Sequence, residues 1–241
     1  MRSLWTIILV MTAVPGSEAF AVEPELEVAG FSGDGTFLAY TLAGEYGGSA
    51  FPYCEMHILN TMTGNICSSY RMVDQTLHLT PAEVKEKLMA ERETELEEYG
   101  IARGNQGVSL EYPPLDPPPE AQIISFLIDS TVAGMPAGLY SLDLFQTSSD
   151  TSVEFRGIHP SACRLNLTWA DRSLSKNLLD WSEEPRLDVD VYRFGIREFL
   201  IHPAGFMVVF LDCAVQGFEI PEHEIVPLVF HDLAPAGNGS N

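Results

Sequence analysis

The chain is 241 residues long and 46% of its residues are apolar, so it can bury a sizeable core, and global disorder is excluded. Its 34 acidic residues outnumber its 13 basic ones, which gives a formal net charge of −21 at pH 7. A chain this acidic, with no cluster of Lys or Arg, is not expected to bind nucleic acid or anionic lipid head groups, because both require a basic surface. The charge instead favours solubility and basic or metal-ion partners.

The N-terminus has the pattern of a secretory signal peptide. Arg2 precedes an apolar run at residues 4–10, Pro15 interrupts it, and Ala19 and Ala21 supply the small residues that a signal peptidase reads. The run is about ten residues long, whereas a membrane span needs about 20. We therefore predict a signal peptide at residues 1–21, no membrane span after its cleavage, a secreted or periplasmic location, and a single mainly-β domain at residues 22–241.

The first mature segment predicts four short strands, at residues 26–31, 37–42, 53–59 and 65–71. The turn between the first two contains Asp34-Gly35, a pair that tolerates positive φ. Four short strands joined by tight turns are the layout of a β-propeller blade. Residues 31–40, FSGDGTFLAY, also resemble the repeat signature of propellers found in periplasmic proteins.

One long helix is predicted next, over about residues 81–99. Thr80 is a suitable N-cap, Pro81 stands at the first helical position, Glu83 completes a capping box, and Gly100 ends the helix. An apolar stripe on one side predicts packing against a sheet. The opposite side is rich in glutamate and is expected to face solvent or, alternatively, a partner.

The remainder predicts mostly strands. A stiff, proline-rich segment occupies residues 113–119. Residues 171–181 are expected to be irregular or a short helix. The further strands are predicted at residues 122–128, 139–146, 152–156, 162–169, 187–202 (broken at Gly195), 205–215 and 224–230.

A weak internal repeat relates the two ends of the chain. An offset of 169 residues places Phe37 on Phe206 and Pro52 on Pro221. Each copy has a buried strand, a loop containing glycine, a proline, and a strand that opens with a glutamate. If the repeat is real, the two ends carry equivalent strand pairs that can close the sheet system together.

The search for catalytic motifs finds no nucleophile elbow, zinc-protease helix, phosphate-binding loop or dinucleotide fingerprint. The nearest pattern to a site is the acidic loop of the second copy, with Glu222, His223 and Glu224. The first copy has Glu55 and His57 at its matching position. Carboxylates and imidazoles of this kind can bind Ca²⁺ or another divalent metal, although ordinary acidic loops are the alternative, and no other cofactor is indicated.

Four cysteines remain after cleavage: Cys54, Cys67, Cys163 and Cys213. In an exported chain they can form two disulfides. The Cys54–Cys67 pair is geometrically plausible because the two flank one predicted hairpin. Free, buried thiols are the alternative. The spacing is not that of zinc or thioredoxin-like sites.

Five short stretches follow one another along nearly the whole mature chain: residues 30–35 with 37–40 (GFSGDG, FLAY), 49–55 (SAFPYCE), 99–101 (YGI), 171–176 (DRSLSK) and 215–221 (VQGFEIP). In these stretches the chain resembles a family of predicted secreted bacterial proteins, the domain of unknown function 2259. The family tends to have proline at the position of Gly33. The resemblance implies export and a single domain, and it implies no activity and no catalytic residues.

Together these patterns predict a mainly-β domain of antiparallel, propeller-blade-like or sandwiched sheets with one long helix. We expect a non-catalytic binding or interaction protein of the cell envelope, whose partner is an envelope protein or a small ligand. The alternative is a hydrolase or metal-dependent enzyme at the two Gly/Pro/Glu loops, which requires Glu55, Glu224 and a histidine to converge.

Overall fold

The computed structural model describes residues 24–47, 49–106, 108–111, 121–128, 135–147, 162–169, 174–181, 191–216 and 221–233. The predicted signal peptide, proline-rich segment and strand at 152–156 lie outside these residues. The described elements are β1 (Glu25–Phe31), β2 (Phe37–Glu45), β3 (Pro52–Asn60), β4 (Asn65–Val73), α1 (Pro81–Glu91), α2 (Glu93–Glu98), β5 (Val108–Glu111), β6 (Ala121–Ile128), β7 (Gly138–Thr147), β8 (Ala162–Trp169), β9 (Leu174–Trp181), β10 (Val191–His202), β11 (Phe206–Gln216) and β12 (Pro221–His231).

The strands form three antiparallel sheets of four strands each. The first sheet has the order β1-β2-β3-β4, and the third sheet has the order β6-β7-β8-β9. The central sheet, β12-β11-β10-β5, combines a strand from the middle of the chain with the last three strands. The mainly-β, sandwich-like prediction is therefore confirmed.

The central sheet packs on both neighbours because the side chains of a strand alternate between its faces. Val208 and Phe210 of β11 join the apolar core that lies against the first sheet. Met207 and Val209 of the same strand join the core that lies against the third sheet. All four side chains are 0% exposed, so β11 lies at the centre of the stack.

The repeated ends of the chain are two matching hairpins. The β2–β3 hairpin begins its strands at Phe37 and Pro52, and the β11–β12 hairpin begins its strands at Phe206 and Pro221, the positions that the repeat aligns. Tyr40 of the first hairpin contacts Phe210 of the second edge to face, with 5.1 Å between ring centroids. The two hairpins thus pack face to face between the first and central sheets.

Two helices cover the other face of the first sheet. The capping box at Thr80 is confirmed, since Glu83 N donates to Thr80 Oγ1 over 3.3 Å and Thr80 N donates to Glu83 Oε2 over 2.8 Å. The prediction of one continuous helix is wrong, because Arg92 leaves the helical conformation with φ −109° and ψ 16°. Its Nη1 donates to Glu95 over 2.7 Å, and its guanidinium lies 4.6 Å from the ring centroid of Tyr70. These contacts hold the break between α1 and α2.

Two details of the third and central sheets also differ from the prediction. Residues 174–181 form the edge strand β9 and pair with β8, although the sequence predicted irregular structure or a short helix at 171–181. This segment lacks β-branched residues, so pairing with β8 decides its conformation over its propensity. Gly195 does not break β10, and the register shifts lie on either side of it, at Val191/Arg193 and Ile196/Glu198. No helix within the described ranges is long and apolar enough to cross a membrane.

Candidate functional site

Two of the predicted site residues, Glu55 and His57, lie side by side on β3. They are two residues apart and share one face of the strand. His57 Nε2 lies 3.4 Å from Glu55 Oε2. On the neighbouring strand, Ser69 is the register partner of His57, and its Oγ lies 2.9 Å from His57 Nδ1. Both ring nitrogens of His57 are therefore in contact with a polar group.

Arg71 completes this arrangement on β4, where it pairs in register with Glu55. Its Nε lies 3.3 Å from Glu55 Oε1, and its guanidinium lies 5.0 Å from the ring centroid of Tyr46. Tyr46 in turn stacks on Tyr53, with 4.5 Å between the ring centroids. We call Glu55, His57, Ser69 and Arg71 the β3–β4 polar cluster; sequence reasoning missed its last two members.

Tyr40 limits the orientation of the His57 ring. The two rings stack with 5.1 Å between centroids, and Tyr40 is 1% exposed. Burial, and then the charge of Glu55, raises the pKa of Tyr40 well above its ordinary value. Tyr40 is accordingly a neutral, rigid support for the imidazole.

The second predicted group lies on β12 and is organised differently. His223 Nδ1 contacts Asp212 Oδ1 of β11 over 2.7 Å, and both side chains are largely buried. Glu224 is exposed. Glu222 lies on the same strand, but its side chain is outside the described set. Asp212 was missed by sequence reasoning, although the period of two along the strands would have placed it diagonally across the hairpin from His223.

The predicted convergence into a metal site finds no support in these contacts. Among the residues that the structure describes, no group of three or more His, Cys, Asp or Glu side chains could hold a metal ion. A Ca²⁺ or other divalent site that uses Glu55 and Glu224 remains a prediction.

The four cysteines are free thiols in the structure. Cys54 pairs in register with Met72, whereas Cys67 lies in the bulge where the register shifts at Ile58/Leu59. Four residues of strand separate the two sites, about 13 Å at about 3.3 Å per residue, so the Cys54–Cys67 disulfide that the sequence allowed is absent from this structure. Burial raises the pKa of Cys54 and of Cys163 to about 12, which makes both thiols poor nucleophiles.

The outward side of the third sheet carries four exposed, large apolar side chains. The four are Ile123 (62% exposed), Leu127 (72%), Leu139 (43%) and Phe145 (42%). Leu127 pairs in register with Leu139 across β6 and β7. We call these four residues the apolar outer face. Its counterpart on the first sheet is covered by α1, through Val84 and Leu88.

No family model, curated protein or solved structure matches this chain. The resemblance to the domain of unknown function 2259 therefore rests on the five sequence stretches and remains a prediction.

Proposed function

We propose that this chain is an exported binding protein of the cell envelope that holds a basic protein partner against its apolar outer face. The observation that carries the proposal is the exposure of Ile123, Leu127, Leu139 and Phe145 on one side of one sheet. Scattered exposed apolar residues are normal on a protein surface, but a group of large ones on one face marks an interaction site.

The position of this face in the fold favours a partner. The described stack has its helices at one end and the third sheet at the other, so no described element covers the apolar outer face. Strand β6, which bears Ile123 and Leu127, is also an edge strand of its sheet. Edge strands offer backbone groups to an added chain.

The net negative charge of the chain favours a basic partner. The chain has a formal net charge of −21, so a second copy would meet like charge, whereas a basic protein would be attracted. Within the face, Asp143 pairs in register with Ile123. Its Oδ2 accepts a hydrogen bond from Thr168 over 2.7 Å, while its Oδ1 is buried and has no partner in the described part of the chain. The preference for a basic partner therefore rests on the net charge of the chain.

A binding titration tests the proposal with a defined probe, an amphipathic helical peptide made of leucine and lysine. We expect the double variant Ile123→Ser/Leu127→Ser to bind it at least about tenfold more weakly, because burial of two large apolar side chains contributes a few kcal/mol. Leu77→Ser is the matched control, since Leu77 is 56% exposed and lies outside this face. All three proteins carry the same charge. Equal affinity of the double variant and the wild type would contradict the proposal.

A further inference from the structure

Ser69, His57 and Glu55 form a continuous chain of contacts across β3 and β4. Ser69 Oγ lies 2.9 Å from His57 Nδ1, and His57 Nε2 lies 3.4 Å from Glu55 Oε2. A hydroxyl, an imidazole and a carboxylate in this order are the parts of a nucleophilic relay, which is recognised by geometry and not by sequence spacing. We propose that these three residues hydrolyse small carboxylic esters, an activity separate from binding at the apolar outer face.

The contacts define the role of each residue. When the neutral imidazole carries its proton on Nε2, that N–H lies on the side of the Glu55 carboxylate, and Nδ1 is free to accept the proton of the Ser69 hydroxyl. Ser69 is then the nucleophile and His57 the general base. Glu55 orients the ring and stabilises the imidazolium that forms during the reaction.

The surroundings combine a fixed base with an accessible nucleophile. The His57 side chain is 15% exposed and the Glu55 side chain 28% exposed, and stacking on Tyr40 limits rotation of the imidazole. Ser69 is exposed, so a substrate can reach its Oγ from solvent. The open strand surface suits a small ester better than a long polymer held in a cleft.

Arg71 is a positioning residue in this scheme. Its Nε lies 3.3 Å from Glu55 Oε1, so it holds the carboxylate beside His57. It also places a cation two residues from Ser69 on the same face of β4. Replacement of Arg71 by glutamine should lower kcat more than it raises KM, because the effect is confined to the transition state.

The reaction balances without a cofactor. Ser69 Oγ forms a bond to the ester carbonyl carbon while its proton moves to His57 Nδ1. The carbon–oxygen bond to the alcohol breaks, and the departing oxygen takes the proton from Nδ1. Water then attacks the acyl-serine, its proton passes through Nδ1 back to Ser69, and the carboxylic acid leaves.

The first test is hydrolysis of p-nitrophenyl acetate by the full-length mature chain. We expect Ser69→Ala and His57→Gln each to lower the rate by about 100-fold or more, the usual contribution of a nucleophile or general base. The matched control is Ser175→Ala, because Ser175 is also an exposed serine on a strand and lies far from the cluster along the chain. Retention of wild-type activity by Ser69→Ala would overturn the proposal.

A second test needs no variant and therefore does not depend on how the variants fold. The wild-type protein is treated with diisopropyl fluorophosphate, which modifies activated serines, and the modified peptide is mapped by mass spectrometry. Modification of Ser69 in preference to the other serines is the expected result. Unmodified Ser69, or equal modification of Ser69 and Ser175, would contradict it. Neither result bears on peptide binding at the apolar outer face.

Discussion

His202 shows how a single buried side chain couples this fold to pH. Its ring lies 4.6 Å from that of Phe31 and 4.8 Å from that of Phe206, measured between centroids. The backbone N–H of Ala204 donates to its Nδ1 over 3.2 Å, a contact that requires an unprotonated nitrogen. Burial lowers the pKa of His202 below its ordinary value, so the folded protein keeps this ring neutral.

We therefore expect the protein to lose stability as the pH falls from 7.5 to 5.5. Because the pKa of His202 is lower in the folded state than in the unfolded chain, where it is about 6.5, the unfolded state binds the proton more readily. The stabilisation is fully present above pH 6.5 and is lost as the pH falls through the folded-state pKa. Urea unfolding at both pH values measures the free energy of unfolding. Between pH 7.5 and pH 5.5 this free energy should fall less for His202→Gln than for the wild type. An equal fall in both proteins would show that His202 is not the responsible group.

At the scale of elements, the β1–β2 turn is fixed by a dense set of local contacts. Ser32 Oγ donates to Asp34 Oδ1 over 2.7 Å and Thr36 N donates to the same oxygen over 2.9 Å. These hydrogen bonds lower the pKa of Asp34 to about 2. Thr61 Oγ1 donates to the carbonyl of Gly35 over 2.6 Å, which ties this turn to the turn between β3 and β4.

Glycine is required at position 35 for two reasons, which a comparison with Gly64 can separate. Gly35 has φ +75°, and a Cβ there would lie 2.6 Å from His202 Cε1, whereas Gly64 has φ +72° with nothing within 4 Å. Gly64→Ala should lower the free energy of unfolding by about 1–2 kcal/mol through its backbone alone. Gly35→Ala should cost about 1–3 kcal/mol more, because it also overpacks the site. Thermal and urea unfolding measure both, and equal losses would show that the contact with His202 is unimportant.

The sequence predicted elements well where local chemistry decides them. The capping box at Thr80 and the matching hairpins at Phe37 and Phe206 follow from local residue types and spacing. The break at Arg92 and the strand β9 depend on tertiary contacts with Tyr70 and β8. Such contacts override local propensity and leave no periodic pattern in the sequence.

Only two of the four residues of the β3–β4 polar cluster were predicted from the sequence, for a similar reason. Glu55 and His57 are visible in the sequence as an acidic and a basic residue on one strand face. A regular hairpin closed by Asn60 and Asn65 would have placed Ser68 opposite His57. The bulge at Ile58/Leu59 shifts the register by one residue and brings Ser69 there instead. A one-residue shift of this kind cannot be read from alternation alone.

At the scale of the whole molecule, the described elements form four layers: two helices, the first sheet, the central sheet and the third sheet. Apolar cores fill the three interfaces between them. The two outermost layers differ in the surface that they expose. The helices present an acidic surface to solvent, whereas the third sheet presents the apolar outer face. This asymmetry supports the proposal that the chain binds a basic partner.

Site-specific photo-crosslinking in the producing cell tests whether the apolar outer face binds a partner. A photoreactive residue replaces Ser125, an exposed position on β6 between Ile123 and Leu127, and a control protein carries it at Leu77. We expect position 125 to form a covalent adduct with one basic protein, identified by mass spectrometry, and position 77 to form none with that protein. In the Ile123→Ser/Leu127→Ser double variant, position 125 should no longer form this adduct. Three outcomes would contradict the proposed binding of a basic protein: no adduct at position 125, the same adducts at both positions, or an adduct with a second copy of this chain.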